Sequence, residues 1–387
     1  MERDIYDEDH EAFRDVVKEF VKRYASEQKR KQWDEAGEID RATMLAAGEA
    51  GIIGLSVPEE FGGAGMLQDY RFRAVVLEET IGAGYGSLAG ALGIQDDLAV
   101  PYIAHMGTQE QKEKWLPRMA TGEVLGALAM TEPGAGSDLR GIKTTAKKAE
   151  GGYLVNGAKT FISSGKTADM VVTFVKTGEG NKADAFSLLI LESGMDGFDQ
   201  SKKLEKMGFH GWDTAELSFV DVFVPEENLI GGREGLGFIQ LMMNLPLERL
   251  SIGVAAAAAA EAAFVWTRDY TLSREAFGQS VADFQNTRFK LADMATTVDV
   301  MWAYIDRAMM LYKDEKLTAE EAAKVKFWAT DREWELLDIG VQLHGGYGYI
   351  TEYPIARAFL DARVHRIYGG TNEIMRDIVS RQIVGKR

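Results

Sequence analysis

The chain has 387 residues, too many for one ordinary hydrophobic core, so two or three domains are expected. Sixty acidic side chains against 44 basic ones leave a formal net charge of −16, which repels phosphate backbones and argues against nucleic-acid binding. Cysteine is absent, which removes disulfides, thiol nucleophiles and thiolate metal ligands, and the five histidines form no close-spaced pair that would suggest zinc.

The first nine residues are acidic and carry no apolar segment of a secretory signal. The longest apolar stretch, 252–263, is short and alanine-rich for a membrane span. A soluble protein is expected, cytoplasmic or, for a processed eukaryotic form, of the mitochondrial matrix, with no membrane partner. Phe13, Val16, Val17, Phe20, Val21 and Tyr24 recur at helical spacing and make one apolar stripe. Residues 51–65 form a glycine-rich loop with one proline. A helical pattern returns over 70–80, small residues crowd 82–93, and another helix is expected over 109–119.

Between about 125 and 224 the period changes. Asn156-Gly157 is the dipeptide favoured in tight hairpins, so a turn is expected there. The runs 170–175 and 185–191 read as strands, and Leu217, Phe219 and Phe223 alternate towards Pro225. From 235 the helical period returns, with long helices expected over 236–274, 286–313 and 319–343. The first contains an uninterrupted alanine run, 255–260, that lets helices approach closely. The order predicts an α+β protein: an N-terminal helical domain over 1–124, a middle β-barrel-like domain over 125–234 and a C-terminal four-helix bundle over 235–387.

Four short segments stand out. Thr131-Glu132-Pro133-Gly134-Ala135-Gly136-Ser137-Asp138 joins one fixed φ to two glycines that allow close approach of backbone to a ligand. On local chemistry alone it is a surface turn. Lys159-Thr160-Phe161-Ile162-Ser163 reads as the end of a strand. Arg274-Glu275-Ala276-Phe277-Gly278-Gln279, followed by Gln285, reads as a solvated charge beside an aromatic. Gln342-Leu343-His344-Gly345-Gly346 reads as a helix end with its glycine cap.

Taken together, in this order and spacing, the segments resemble the acyl-CoA dehydrogenase family over essentially the whole chain. The resemblance implies FAD, held by Met130, Thr131, Gly136, Ser137, Phe161 and Ser163 in the β domain. Phe161 stands where the family usually has Trp, which keeps an aromatic face and loses the indole donor. It further implies that Arg274, Phe277, Gln285, Gln342, Gly345 and Gly346 reach FAD across a subunit interface, and that Thr371 and Glu373 meet it at the start of the last helix. Arginine suits a pyrophosphate because its planar fork pairs two oxygens. Ser137, Arg249, Tyr368 and Gly370 fall to the acyl-CoA, and no metal is implied.

The C-terminal motif departs from the commonest pattern. In Ile367-Tyr368-Gly369-Gly370-Thr371-Asn372-Glu373, glycine stands where the residue after Tyr is usually the catalytic glutamate. A second carboxylate, Glu248 in Leu245-Pro246-Leu247-Glu248-Arg249-Leu250, shares a helix face with Leu241, Leu245, Ile252 and Ala255. The long-chain and isovaleryl branches of the family carry their base there, and the long-chain branch is the most similar. Burial should raise the pKa of Glu248 and strengthen it as a base, while Pro246 is expected to kink the helix.

The implied reaction is α,β-dehydrogenation of a medium-to-long-chain fatty acyl-CoA to its trans-2-enoyl-CoA. Glu248 takes the α-proton, flavin N5 accepts the β-hydride, and the backbone N–H of Gly369 polarises the thioester carbonyl. The small residues of 82–93 would line the acyl tunnel. Electron-transferring flavoprotein is the implied acceptor and a homotetramer the implied assembly. The alternatives are an isovaleryl-type branched short-chain enzyme and, from another class, a non-catalytic acyl-CoA- or flavin-binding scaffold. Retention of both Glu248 and Arg249 argues against a flavin monooxygenase of the same fold.

Overall fold

The computed structural model describes residues 3–385. The N-terminal third contains α1 (Glu8–Tyr24), α2 (Glu27–Ala36), α3 (Arg41–Glu49), α4 (Tyr70–Gly82), α5 (Gly86–Gly93), α6 (Val100–Met106) and α7 (Gln109–Ala120). Asp7, Ser26, Asp40 and Thr108 cap α1, α2, α3 and α7, each accepting a hydrogen bond from a backbone N–H three residues on. The stripe on α1 is narrower than its spacing suggests: Val17, Phe20 and Val21 are buried, while Val16 is 44% exposed. The loop over 51–65 is pinned from inside, because buried Asp96 accepts hydrogen bonds from the N–H groups of Gly54 and Ser56, each at 3.0 Å.

Between α5 and α6 the backbone widens into a π-helical segment, Ile94–Ala99, which turns Gln95, Asp96 and Asp97 inward. The small residues of 82–93 are largely the helix α5. A Cβ at Gly90 would lie 2.5 Å from Cε3 of Trp212, so the missing side chain there makes room for an indole.

The middle third contains β1 (Gly126–Ala129), β2 (Thr145–Ala149), β3 (Gly152–Ser163), β4 (Met170–Lys176), β5 (Phe186–Glu192), β6 (Phe198–Lys203) and β7 (Thr214–Pro225) in one sheet. Its order is β1-β4-β2-β3-β7-β6, with β5 antiparallel to β4. The expected turn at Asn156-Gly157 is instead a bulge inside β3. The β2–β3 hairpin closes at Glu150-Gly151, where Gly151 has φ +74°. Asn156 clamps the bulge by exchanging two hydrogen bonds of 2.9 Å with Asp221 on β7. Asp221 sits at φ +49°, and the alternation of β7 flips there. Leu217 and Phe219 face inward before it and Val222 and Val224 after it, which leaves Phe223 46% exposed instead of buried.

The C-terminal third contains α8 (Gly237–Ser273), α9 (Gln285–Lys313), α10 (Ala319–His344), α11 (Pro354–Ala362) and α12 (Asn372–Val384). The helix α8 continues across Pro246 without interruption. It is long and apolar enough to cross a membrane by composition, but 67% of its most apolar window is buried inside the protein. Gly253 sets its approach to α10, since a Cβ there would lie 2.5 Å from Cγ1 of Val325. One apolar cluster joins α4 to α8, α9 and α10, and another joins α6 and α7 to the sheet. The three regions therefore share cores, and α8 lies against all of them.

Candidate active site

Glu248 projects from α8 and is 4% exposed. Its Oε1 accepts a hydrogen bond of 2.9 Å from the hydroxyl of Tyr102 on α6. Burial pushes its carboxyl up to about 7, against the opposing pull of that hydrogen bond and of the nearby Arg249 guanidinium. A carboxylate so placed is poorly solvated and basic near neutrality.

The turn Tyr368-Gly369-Gly370 packs against the same face of α8. Gly369 has φ +64°, and a Cβ there would lie 2.5 Å from Cδ1 of Ile252, one helical turn beyond Glu248. A side chain at 369 and the bulk of Ile252 compete for one space. Arg249 is 6% exposed, and its Nε donates to the carbonyl of Gly369 at 3.4 Å. Lys326 on α10 donates to the carbonyl of Gly370 and to Oδ1 of Asn372, each at 2.9 Å. Burial first, and Arg249 second, push its ammonium down to about 7. Tyr368 stacks on His365 (ring centroids 5.5 Å apart), which is fixed by a buried hydrogen bond of 2.9 Å with Glu333. The structure thus gathers Glu248, Arg249, Tyr368, Gly369 and Gly370 around one stretch of α8.

The loop 131–138 is held by a buried ion pair. Glu132 binds Lys159 at 2.9 Å and also accepts from the N–H groups of Lys143 and Thr144. Lys159 donates onward to the carbonyl of Met130, and Thr160 N–H donates to the carbonyl of Thr131, both at 2.9 Å. Burial pushes Lys159 down to about 8. This clamp joins β3 to the loop and leaves Gly134, Gly136 and Ser137 exposed, with no atom within 4 Å of a Cβ built on either glycine. Phe161, at φ +59°, turns its ring out and is 68% exposed; Ser163 is half-buried.

Arg274, Phe277 and Gln285 lie elsewhere. A two-residue hairpin carries Phe277 at its tip, 96% exposed with φ +54°, and Arg274 and Gln285 are exposed beside it. Position 274 is 26 residues beyond Glu248 on the chain, roughly 39 Å along a helix axis. Gln342, Gly345 and Gly346 belong with this second group, because His344 stacks on Tyr270 with ring centroids 4.3 Å apart. Thr371 caps α12 by accepting from the N–H of Ile374, with Glu373 exposed in the first turn.

These surfaces fit a dinucleotide of FAD type: an outward aromatic ring, glycines open to close approach, exposed Arg274 and a helix N-terminus for phosphate. Tyr102 and Lys326 were not singled out from the sequence. Tyr102 reads there as one more apolar position of a helix, and Lys326 as a solvated charge on α10.

Three family models match the chain: the acyl-CoA dehydrogenase N-terminal domain over residues 7–123, its middle domain over 127–222 and its C-terminal domain over 235–384. The long-chain specific acyl-CoA dehydrogenase of Rattus norvegicus is 42% identical over 385 residues, covering 99% of this chain and 88% of that one. The isovaleryl-CoA dehydrogenase of Solanum tuberosum is 34% identical over 387 residues, covering 98% and 91%. An acyl-CoA dehydrogenase structure from Geobacillus kaustophilus superposes with a TM-score of 0.94 at 42% identity, covering 98% of this chain and 99% of that one. These matches place the chain among flavin-dependent oxidoreductases of acyl thioesters. The chain belongs to the acyl-CoA dehydrogenase family, whose reaction is FAD-dependent acyl-CoA dehydrogenation.

Proposed function

We propose that this protein oxidises medium-to-long-chain fatty acyl-CoA, with Glu248 removing the α-proton. The observation that carries the reading is the buried Glu248 carboxylate on the stretch of α8 against which the glycine at 369 packs. Desolvation makes it basic enough for a weakly acidic α-C–H, and Tyr102 fixes the oxygen it touches. The N–H of Gly369 is the donor available to the thioester carbonyl, where negative charge develops as the proton leaves. Arg249 and Lys326 hold the two carbonyls of that turn, so the donor keeps its direction.

Bound FAD, held by the 131–138 loop, Phe161 and the start of α12, would supply the acceptor for the β-hydride. Substrate contacts fall to Ser137, Arg249, Tyr368 and Gly370. Electron-transferring flavoprotein is the proposed acceptor, a homotetramer the proposed assembly, and the cytoplasm or mitochondrial matrix the proposed location. The similarity to the isovaleryl enzyme of Solanum tuberosum supports a second reading, a branched short-chain substrate.

Anaerobic titration of the purified holoprotein with straight-chain and isovaleryl thioesters separates them. Flavin bleaching strongest with long chains supports the first reading, and bleaching chiefly with isovaleryl-CoA the second. Glu248→Gln should bind FAD and ligand yet lose at least about a thousandfold in turnover. Turnover close to wild type in that variant removes Glu248 from the role.

A further inference from the structure

A polar cluster lies one helical turn along α8 from Glu248. Ser251 donates to Oδ2 of Asp97 at 2.7 Å, Tyr70 donates to the same oxygen at 3.1 Å, and Nε of Arg73 donates to Oδ1 at 2.9 Å. Arg73 and Asp97 are each 1% exposed and Tyr70 is 2% exposed. Here α4 and the π-helical segment meet α8, and α6, which continues directly from the π-helical segment, sets Tyr102 against Glu248 on the same helix. The pairs Tyr102–Glu248 and Asp97–Ser251 run in opposite chain directions, which lays the two segments side by side. Ser251 therefore stands about 4.5 Å along the axis from the base.

The carboxylate of Asp97 is saturated by its three donors, but Arg73 is not. Among the described residues its Nη1 has no hydrogen-bond partner, although the atom is buried. A buried guanidinium N–H without an acceptor is strongly unfavourable, and a buried ion pair is weak evidence of a stabilising purpose. Next to it, Gly93 presents no side chain. A Cβ there would meet only Oδ2 of Asp97 at 3.3 Å and Nη2 of Arg73 at 3.8 Å.

We propose that this cluster receives an oxygen atom on the acyl chain, so that the preferred substrates are acyl-CoA thioesters bearing an uncharged hydroxyl or keto group a few carbons beyond the reacting pair. The inference rests on the dehydrogenase reading above. Charge decides between oxygen functions. Arg73 is already opposed by Asp97, and buried Asp96 lies on the adjoining residue, held by the N–H groups of Gly54 and Ser56. A terminal carboxylate would add a further negative charge to this surplus. A plain methylene chain would leave Nη1 without an acceptor. A neutral oxygen satisfies Nη1 without new charge.

The test is a positional scan on the holoenzyme. Dodecanoyl-CoA is compared with the same thioester carrying one keto or hydroxyl group at successive carbons from C5 to C11, following anaerobic flavin bleaching and kcat/KM. One position should exceed the plain chain on the order of tenfold. In Arg73→Met the ratio of that substrate to the plain chain should fall to about one. Equal kcat/KM at every position in the wild type overturns the proposal, whether or not Arg73→Met folds. A preference that survives in Arg73→Met overturns the assignment to Arg73. Bleaching by plain chains alone defeats this inference and leaves the dehydrogenase reading standing, whereas no bleaching by any thioester defeats both.

Discussion

Desolvation of Glu248 has two consequences that oppose each other. As the proposed base it must be ionised, so kcat/KM should rise with pH and level off above about 7, the value to which burial lifts the carboxyl. As a part of the fold it is a liability once ionised. Its folded pKa lies above the ordinary 4.5, so its contribution is favourable at low pH and is lost as pH rises through about 7. A shift of that size corresponds to about 3 kcal/mol. Glu248→Gln, which keeps the partner of Tyr102, should therefore melt above wild type at pH 8, with the gap closing by pH 4.5. Equal melting temperatures at both pH values would show that the carboxylate is well solvated. Returning the acid to position 369 is a different matter. Gly369→Glu forces a side chain at φ +64° towards Ile252, and about 1–3 kcal/mol of destabilisation is expected from thermal melts. Glycine at 369 and glutamate at 248 were both readable as single letters that broke a pattern. Tyr102 was not, because its role appears only when α6 meets α8. The Gln95-Asp96-Asp97 run between apolar neighbours was the one signal that could have led to the cluster around Arg73.

At the scale of elements, periodicity placed the long helices to within a residue or two at their ends, since each has a sustained apolar face that only a helix can bury. Local turn chemistry was less informative. Asn156-Gly157 carries the letters of a hairpin, yet long-range pairing with Asp221 turns it into a bulge, and no reading of one strand shows its partner. The turn before α12 follows the same rule. Its glycines are visible in the sequence, but what holds them is Lys326, arriving from α10 across 44 residues. Lys326→Met leaves the carbonyl of Gly370 and Oδ1 of Asn372 without that donor. The expected result is a fall in kcat on the order of tenfold with KM little changed, because the donor to the thioester carbonyl loses its support rather than the ligand its binding surface. A rise in KM at constant kcat would make Lys326 a binding residue instead.

On the scale of the whole molecule, the residues assigned to FAD by resemblance divide into two groups that one chain keeps apart. Phe161 and the 131–138 loop belong to the β domain, while Arg274, Phe277 and Gln285 stand beyond the far end of α8. Phe277 holds a strained left-handed conformation at 96% exposure, and covering its ring would contribute about 2 kcal/mol per protomer. In the tetramer proposed above a second copy of the chain would bring the two groups together, and cofactor retention would then depend on assembly. Sedimentation velocity should then give a species near four times 42.7 kDa for the yellow protein. Phe277→Ser removes the ring without touching a core, so its helices should fold as before. It should nevertheless lose FAD on dilution and shift towards smaller species, and added FAD should restore the larger one by mass action. Full flavin content and unchanged mass in Phe277→Ser would place the hairpin outside the shared site and confine the cofactor contacts to a single chain.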